Sequence, residues 1–227
     1  MPRPDTETTR FYESHVRRFG YGYRALGFGR RSSQEKRFGA LAALGSFDGT
    51  RLLDVGCGFG DLLAWLRARG VQPRYTGLDL IAPMIERCRK RFSEQGGEAG
   101  GEGMARFLVG DALTWQADCE YDYVIASGVF GYNAKDTRAR IQPTLERLFA
   151  IAGRGLAVNF LSGCAPTRSP GRLYVHPADV LQYALRLTPA VRLDHTYMPN
   201  DFTLCLYKKP RWESPNGEEQ PQRPDLS

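Results

Sequence analysis

The sequence predicts an α/β protein built on a doubly wound, mostly parallel sheet. Short apolar runs recur along the chain and alternate with segments whose apolar residues follow helical spacing, a pattern typical of this fold class. The first apolar run, residues 52–55, passes into a turn of alternating glycines and then into a helical pattern. Ligands of doubly wound proteins bind at the carboxyl ends of strands, where such turns lie. The length of 227 residues suits one such domain with its own core.

Composition indicates a cytoplasmic protein without a structural metal. The five cysteines, at positions 57, 88, 119, 164 and 205, include no C-x-x-C pair, which argues against a disulfide framework and a zinc site. The N-terminus has no apolar signal region, and no apolar run reaches the roughly 18 residues of a membrane-spanning helix. We therefore expect neither a membrane partner nor a metal ligand.

The chain is basic, with a formal net charge of +6 and 26 arginines against 5 lysines. A basic surface is one signature of nucleic-acid binding. The alternative is a compositional bias toward arginine on solvated helix faces. The second interpretation is favoured because only residues 87–91 form a long basic run, and they lie at helical spacing.

The first 33 residues are expected to form a helix and a lid, after a disordered start at residues 1–8. The helix is predicted over residues 9–19. Residues 20–29 then interleave glycine with aromatic side chains, which combines backbone freedom with flat rings that can lie on a ligand. This segment is either a lid that excludes water from a site or an ordinary packed connector.

The glycine turn carries the most specific chemical signal in the chain. Residues 52–61 end in Gly56, Gly58, Gly60 and Asp61, which differs from the dinucleotide fingerprint G-x-G-x-x-G. A carboxylate at the sixth position would repel the diphosphate that the fingerprint binds at a helix N-terminus. The ligand is therefore expected to be a nucleoside without phosphates.

Four helix starts are predicted from capping chemistry. Ser32 or Ser33 is expected to cap the second helix, and Asp61 the helix after the glycine turn. Pro83 and Pro143 are each expected in the first turn of a later helix, where a missing N–H costs nothing.

Seven strands are predicted from apolar runs and turn residues. They cover residues 52–55, 74–80, 106–109, 121–128, 156–161, 191–197 and 202–207. The second strand ends in Asp79, 25 residues after Asp54. An acid at this position can accept hydrogen bonds from both hydroxyls of a ribose.

Residues 52–61 resemble motif I of the class I S-adenosylmethionine (SAM) methyltransferases, and the resemblance extends over about residues 34–208. It implies a Rossmann-like sheet of seven strands whose last strand, at 202–208, is antiparallel. It also implies SAM as the cofactor and places Asp111 against the adenine amino group, with a helix N-cap as the alternative role. The cofactor contacts that we expect are Asp54, Gly56, Cys57, Gly58, Gly60, Asp79, Leu80, Asp111, Ala112 and Ser127.

The segment after the fourth strand limits the classes of molecule that are expected to accept the methyl group. Family members that methylate DNA adenine or protein glutamine often carry Asn/Asp-Pro-Pro-Tyr/Phe there, whereas residues 127–133 read Ser-Gly-Val-Phe-Gly-Tyr-Asn. The Pro-Cys pair of the RNA cytosine-C5 enzymes is also missing. We expect a small-molecule acceptor, with an RNA methyltransferase and a non-catalytic SAM-binding protein as alternatives. The loop 162–176, which includes Arg168 and Arg172, is expected above the acceptor.

Methyl transfer from a sulfonium requires alignment above all, and alignment can contribute roughly 7–11 kcal/mol. A general base is needed only for an acceptor that is protonated at neutral pH. Tyr132, His176 and His195 are the candidate catalytic residues. The proline- and glutamate-rich stretch 209–227 predicts a disordered tail, and the expected state is a monomer or a homodimer.

Overall fold

A computed structural model describes residues 7–93 and 105–210 of the chain. The predictions for the first six residues and for tail residues 211–227 lie outside the described residues. The helices are α1 (Glu7–Phe19), α2 (Arg31–Ala42), α3 (Asp61–Arg67), α4 (Ala82–Ser93), α5 (Thr137–Ile151) and α6 (Pro177–Leu187). The strands are β1 (Arg51–Val55), β2 (Arg74–Asp79), β3 (Arg106–Val109), β4 (Tyr121–Ala126), β5 (Ala152–Ser162), β6 (Tyr174–Val175), β7 (Val191–Asp194) and β8 (Asp201–Tyr207).

One twisted sheet has the strand order β3-β2-β1-β4-β5-β8-β7. Strands β1 to β5 pair in parallel, whereas β8 runs antiparallel to both β5 and β7. This order confirms the predicted fold, including the reversed last strand. The two-residue strand β6, which pairs with β5 outside the main order, was not predicted.

Helices cover both faces of the sheet, as a doubly wound fold requires. One face buries apolar residues of α5 and α6, such as Leu145 and Val180, against β4, β5 and β8. The other face buries residues of α2, α3 and α4, such as Leu41 and Leu63. Among the described residues, no helix combines the length and the apolarity needed to cross a bilayer.

Two of the predicted caps are wrong. Helix α2 begins at Arg31, and its N-cap Arg30 makes no side-chain capping bond, so neither Ser32 nor Ser33 caps it. The N-cap of α3 is Gly60, at a φ of 71°. Asp61 is instead the first residue of α3, and its carboxylate accepts hydrogen bonds from Gln34 and Arg91. Asp61 does not act as a cap because these tertiary contacts hold its carboxylate away from the helix backbone.

The start of α5 also differs from the prediction. The helix begins at Thr137 and carries Pro143 in its interior. A proline there removes one backbone hydrogen bond. Burial of Ile141 and Leu145, which are 7% and 0% exposed, continues along one face across the proline. This apolar face keeps the helix intact because packing outweighs the loss of a single bond.

Candidate active site

A cavity of about 830 Å³ lies at the carboxyl edge of the parallel strands. Its floor contains residues from the ends of β1, β2, β4 and β5, and its roof contains residues 26–30 of the segment between α1 and α2. The size lies in the range of small-ligand and cofactor sites. It is also the edge at which doubly wound proteins bind their ligands.

The glycine turn forms a narrow part of the cavity wall. Gly56 and Gly58 have φ angles of 69° and 55°, a region that other residues adopt only at a cost. A Cβ atom on Gly56 would lie 2.4 Å from Cγ1 of Val129, and one on Gly58 would lie 2.8 Å from Cδ2 of Leu26. Glycine is therefore required for both the turn and the space above it.

Asp79 supports this turn from the tip of β2. Its side chain accepts hydrogen bonds of 2.9 Å from the backbone N–H of Gly58 at Oδ2 and from that of Ile81 at Oδ1. The residue is 8% exposed, and burial raises the pKa of its carboxyl although the amides of Ile81, Gly58 and Leu80 oppose the shift. Each oxygen retains acceptor capacity, so the carboxylate suits a pair of ribose hydroxyls.

Asp54 lies deeper, at the end of β1, and is 2% exposed. The Tyr75 hydroxyl donates a 2.6 Å hydrogen bond to its Oδ2. Burial raises the pKa of Asp54 to about 7, and the nearby carboxylates of Asp79 and Asp61 add to the shift, while the Tyr75 hydrogen bond opposes it. Asp54 is therefore a cavity residue that titrates near neutral pH.

Asp111 follows β3 and is held by an arginine that sequence reasoning did not single out. Nη2 of Arg140, on α5, lies 2.7 and 2.6 Å from the two carboxylate oxygens, and the Leu113 N–H donates to Oδ1 at 2.9 Å. Asp111 caps a single turn rather than a helix, because its carbonyl accepts from Thr114 and Trp115 and no helix follows. Both Asp111 and Arg140 line the cavity.

Ser127, directly after β4, begins a chain of hydrogen-bonded polar side chains that are buried or half-buried. Its hydroxyl donates to Asn159 Oδ1 at 3.0 Å, and Asn159 Nδ2 donates to Thr203 at 2.8 Å. The Thr203 hydroxyl in turn donates to Tyr197 at 3.0 Å. Ser127 and Asn159 line the cavity, so this chain fixes two polar groups at its floor.

The N-terminal segment closes the cavity from above. Arg172, on the loop before β6, donates from Nη2 to the Gly27 carbonyl at 2.7 Å. Phe28 lies next to the backbone after β4, where its Cζ is 3.6 Å from the position of a Cβ on Gly128. The Phe28 ring also lies 5.0 Å from the guanidinium of Arg37.

A buried ion pair anchors this roof. Nε and Nη2 of Arg37, on α2, donate to the two carboxylate oxygens of Asp201 at 2.7 and 2.8 Å. Both residues line the cavity, and 164 positions separate them in the chain. No local pattern could have predicted the pair, because the two residues meet only when α2 packs on the sheet.

The expected cofactor residues come together around one cavity. Its wall includes Asp54, Gly56, Cys57, Asp79, Leu80, Asp111, Ala112 and Ser127. Gly58 and Gly60 belong to the same turn but lie outside the wall, Gly58 facing Leu26 and Gly60 facing Phe92 and Phe107. Burial raises the pKa of the Cys57 thiol well above its ordinary value, so that side chain is a neutral packing group.

The three candidate catalytic residues lie outside the cavity wall. Tyr132 stacks on Phe11 of α1 at 3.9 Å between ring centroids and donates to Glu7 at 3.2 Å. His176 is the exposed N-cap of α6, where Nδ1 accepts from the Ala178 N–H. Nε2 of His195 is enclosed and has no hydrogen-bond partner among the described residues. Their catalytic roles stay predictions that this geometry does not favour.

The fold and the site agree with the comparisons to known proteins. A family model described as a methyltransferase domain matches residues 52–153, which span β1 to the start of β5. A protein of Mycobacterium tuberculosis that is named as a methyltransferase is 33% identical over 162 residues, covering 68% of this chain and 91% of that protein. The chain belongs to the class I SAM-dependent methyltransferases.

Two further comparisons indicate the range of the family. The magnesium protoporphyrin IX methyltransferase of Synechocystis, solved with bound SAM, superposes with a TM-score of 0.62 at 17% identity, covering 92% of this chain and 100% of that one. A ribosomal RNA small subunit methyltransferase of Chromohalobacter salexigens is 35% identical over 133 residues, covering 56% of this chain and 36% of that protein. The first likeness is one of fold, and the second is confined to about a third of the relative.

Proposed function

We propose that this enzyme transfers the methyl group of SAM to a small-molecule acceptor. The observation that carries the proposal is one roofed cavity of about 830 Å³ that extends from the glycine turn and Asp79 to Asn159 and Asp201. A cavity of this volume has room for a cofactor and a modest second ligand. The roof of residues 26–30 supports a small acceptor, because it leaves little room for a folded macromolecule above the site.

The residues present fit SAM. The backbone of Gly56 offers the cavity a surface without a Cβ atom, and Asp79 offers a fixed carboxylate to the ribose. Asp111 has an oriented carboxylate that can accept from an adenine amino group. Bound SAM supplies a methyl group already activated by its sulfonium.

The protein's own contribution is then alignment and the exclusion of water. Phe28 and the backbone at Gly128 meet at the end of β4, where the methyl group is expected. The Ser127–Asn159 pair holds two polar groups beside them. The link from Arg172 to Gly27 keeps the roof over this point, so closure and alignment depend on the same contacts.

An RNA acceptor is the alternative that the net charge and the ribosomal RNA relative raise. Two arginines of the cavity wall, Arg37 and Arg140, are already paired with carboxylates, which removes much of the positive charge at the site. The named substrate of the Synechocystis enzyme, magnesium protoporphyrin IX, is a small molecule. Together these observations favour a small acceptor.

The test is to incubate the enzyme with methyl-labelled SAM and a cell extract, and then to separate low-mass metabolites, RNA and protein. We expect the label in the low-mass fraction. Label found mainly in RNA or protein would contradict the small acceptor. SAM binding with no transfer to any fraction would instead support the non-catalytic alternative.

A further inference from the structure

The cavity has two halves that belong to different strands. Asp54, Asp79 and Asp111 lie at the ends of β1, β2 and β3, whereas Gly128 and Asn159 lie after β4 and within β5. If SAM occupies the first half, as the proposed function requires, the second half is left for the acceptor. What we infer about the chemistry of the second half therefore rests on that function.

Arg172 differs from the other half-buried or buried arginines of this cavity. Arg37 is paired with Asp201 and Arg140 with Asp111. Arg172 donates to the Gly27 carbonyl but forms no ion pair with any residue in the described ranges 7–93 and 105–210. Its guanidinium therefore lines the cavity with no ion-pair partner among the described residues, although Asp54 and Asp79 line the same cavity.

The other ionisable groups on the described wall form no ion pair with Arg172. Asp136 lines the cavity as well, but it is exposed, and no ion pair joins it to Arg172 in the described part of the chain. The Tyr12 phenol lines the cavity too, and burial raises its pKa although the charge of Arg172 opposes the shift, so it supplies no balancing negative charge. Arg30 lies at the exposed edge and adds positive charge.

Arg172 also has unused hydrogen-bonding capacity. A guanidinium carries five N–H donors, and the structure records one of its bonds, from Nη2 to Gly27. A half-buried charge is costly until it is paired, and two parallel bonds to a carboxylate are the strongest pairing that arginine forms. The site therefore favours an anion beside the roof.

Aromatic side chains line the same cavity as Arg172. Phe28 follows the Gly27 carbonyl that Arg172 binds, and it lies against the backbone of Gly128. Phe130 and Phe160 line the same cavity and stack with ring centroids 5.4 Å apart and planes 5° apart. Flat aromatic walls suit a ligand with a planar apolar body.

We propose that the methyl acceptor is a small carboxylate with a planar apolar body, and that Arg172 is the residue that selects it. The carboxylate lies on the free N–H groups of Arg172, beneath Gly27, while the body lies against Phe28 and Phe130. Acceptor binding and closure of the roof are then coupled, because Arg172 binds both the acceptor and the Gly27 carbonyl of the roof.

The test measures ligand binding to protein saturated with S-adenosylhomocysteine, by calorimetry, with 3-phenylpropionate and its neutral amide 3-phenylpropionamide as probes. In the wild type we expect the carboxylate to bind at least about tenfold more tightly than the amide, since a charged hydrogen-bonded pair is lost with the amide. In Arg172→Met this ratio falls to about one, because any loosening of the roof weakens both probes alike whereas the charged pair is lost for the carboxylate alone. Arg172→Lys, which keeps the charge but not the planar fork, retains part of the ratio.

Arg168→Met is the matched control. Arg168 belongs to the same loop but lies outside the cavity wall and donates to the Gly163 carbonyl, so its variant should keep the wild-type ratio. Equal binding of the two probes to the wild type, or no binding of either, overturns the proposal. An unchanged ratio in Arg172→Met overturns it too, and a simultaneous loss of S-adenosylhomocysteine affinity would assign Arg172 to the cofactor. Wild-type protein that fails to bind S-adenosylhomocysteine overturns both the inference and the proposed function.

Discussion

Three aspartates that line the cavity, Asp54, Asp79 and Asp111, have different hydrogen-bond and charge partners. Asp111 is neutralised by Arg140, and Asp79 is held by backbone amides. Asp54 is buried with one donor, the Tyr75 hydroxyl. Burial dominates at Asp54 because one hydrogen bond does not replace the lost hydration of a carboxylate. The same residue type therefore has three different environments within one site.

The environment of Asp54 predicts a pH-dependent stability. Its pKa rises from an ordinary 3.8 to about 7 in the folded protein, so the folded state binds this proton more tightly than the unfolded state. The stabilising contribution is present below about pH 4 and is lost as the pH rises to 7. Asp54→Asn removes this loss. The free energy of unfolding of the variant, relative to that of the wild type, should therefore increase from pH 4 to pH 7 by roughly 4 kcal/mol and then level off.

Chemical denaturation of both proteins across pH 4 to 9 provides the measurement. Asp179→Asn is the control, because Asp179 is an exposed aspartate on α6 and its change should leave the pH profile as in the wild type. A difference between Asp54→Asn and wild type that does not vary with pH would show that Asp54 keeps its ordinary pKa.

At the scale of elements, the N-terminal segment is joined to the sheet from two sides. The Phe11–Tyr132 stack ties α1 to the segment after β4, and Arg37–Asp201 ties α2 to β8. Between these ties, Ala25 is fully buried with Phe59 and Met84. The segment is therefore a packed roof, and its proposed role as a lid depends on how firmly these ties hold.

The Arg37–Asp201 pair should contribute to stability as a unit. The two side chains are 8% and 1% exposed, so Arg37→Met leaves a carboxylate buried without its partner and should lower the free energy of unfolding by about 3–5 kcal/mol. The double variant Arg37→Met/Asp201→Asn should recover part of this loss, since no charge is left unpaired.

Arg106→Met is the matched control for a charge pair at the surface. Arg106 and Asp118 lie 2.7 Å apart, but their side chains are 52% and 47% exposed, and the expected cost is below about 1 kcal/mol. Urea denaturation measures all of these variants. Equal losses for the buried and the exposed pair would refute the anchoring role of Arg37.

At the scale of the whole molecule, the proposed cofactor site is built from parts that are distant in sequence. The glycine turn, the tip of β2 and the loop after β3 meet because three parallel strands end at one edge. A ligand that bridges them should stabilise the entire fold, since it binds only when the strands are assembled.

We therefore expect SAM, but not NAD, to raise the thermal stability of the protein. At about a hundred times its dissociation constant, SAM should add about 2.7 kcal/mol to the free energy of unfolding, and NAD at the same concentration should add little. Asp79→Ala removes the proposed ribose acceptor, and its free energy of SAM binding should weaken by about 1.5–3 kcal/mol. Scanning calorimetry and titration check both, and unchanged SAM affinity in Asp79→Ala would remove Asp79 from the site.

Much of this protein could be read from the sequence because the signals are local. A parallel strand, a glycine turn and a helix are adjacent in the chain, so residues 52–66 alone indicate the fold and the place of the cofactor. Strand tips such as Asp79 are located by the same periodicity. Helix starts were less predictable. The Asp61 carboxylate can accept a hydrogen bond from its own helix backbone or from Arg91, and in the structure it accepts from Arg91.

The tertiary structure alone decided which residues surround the second half of the cavity. Arg172 was one of two loop arginines in the sequence, and only folding places it on the wall while Arg168 stays outside. Arg37 and Asp201 are 164 positions apart. Arg140, on α5, pairs with Asp111, which follows β3. The sequence by itself determined the cofactor chemistry, whose groups lie in short motifs. The acceptor chemistry depends on side chains that meet only through long-range packing, for which the chain carries no local pattern.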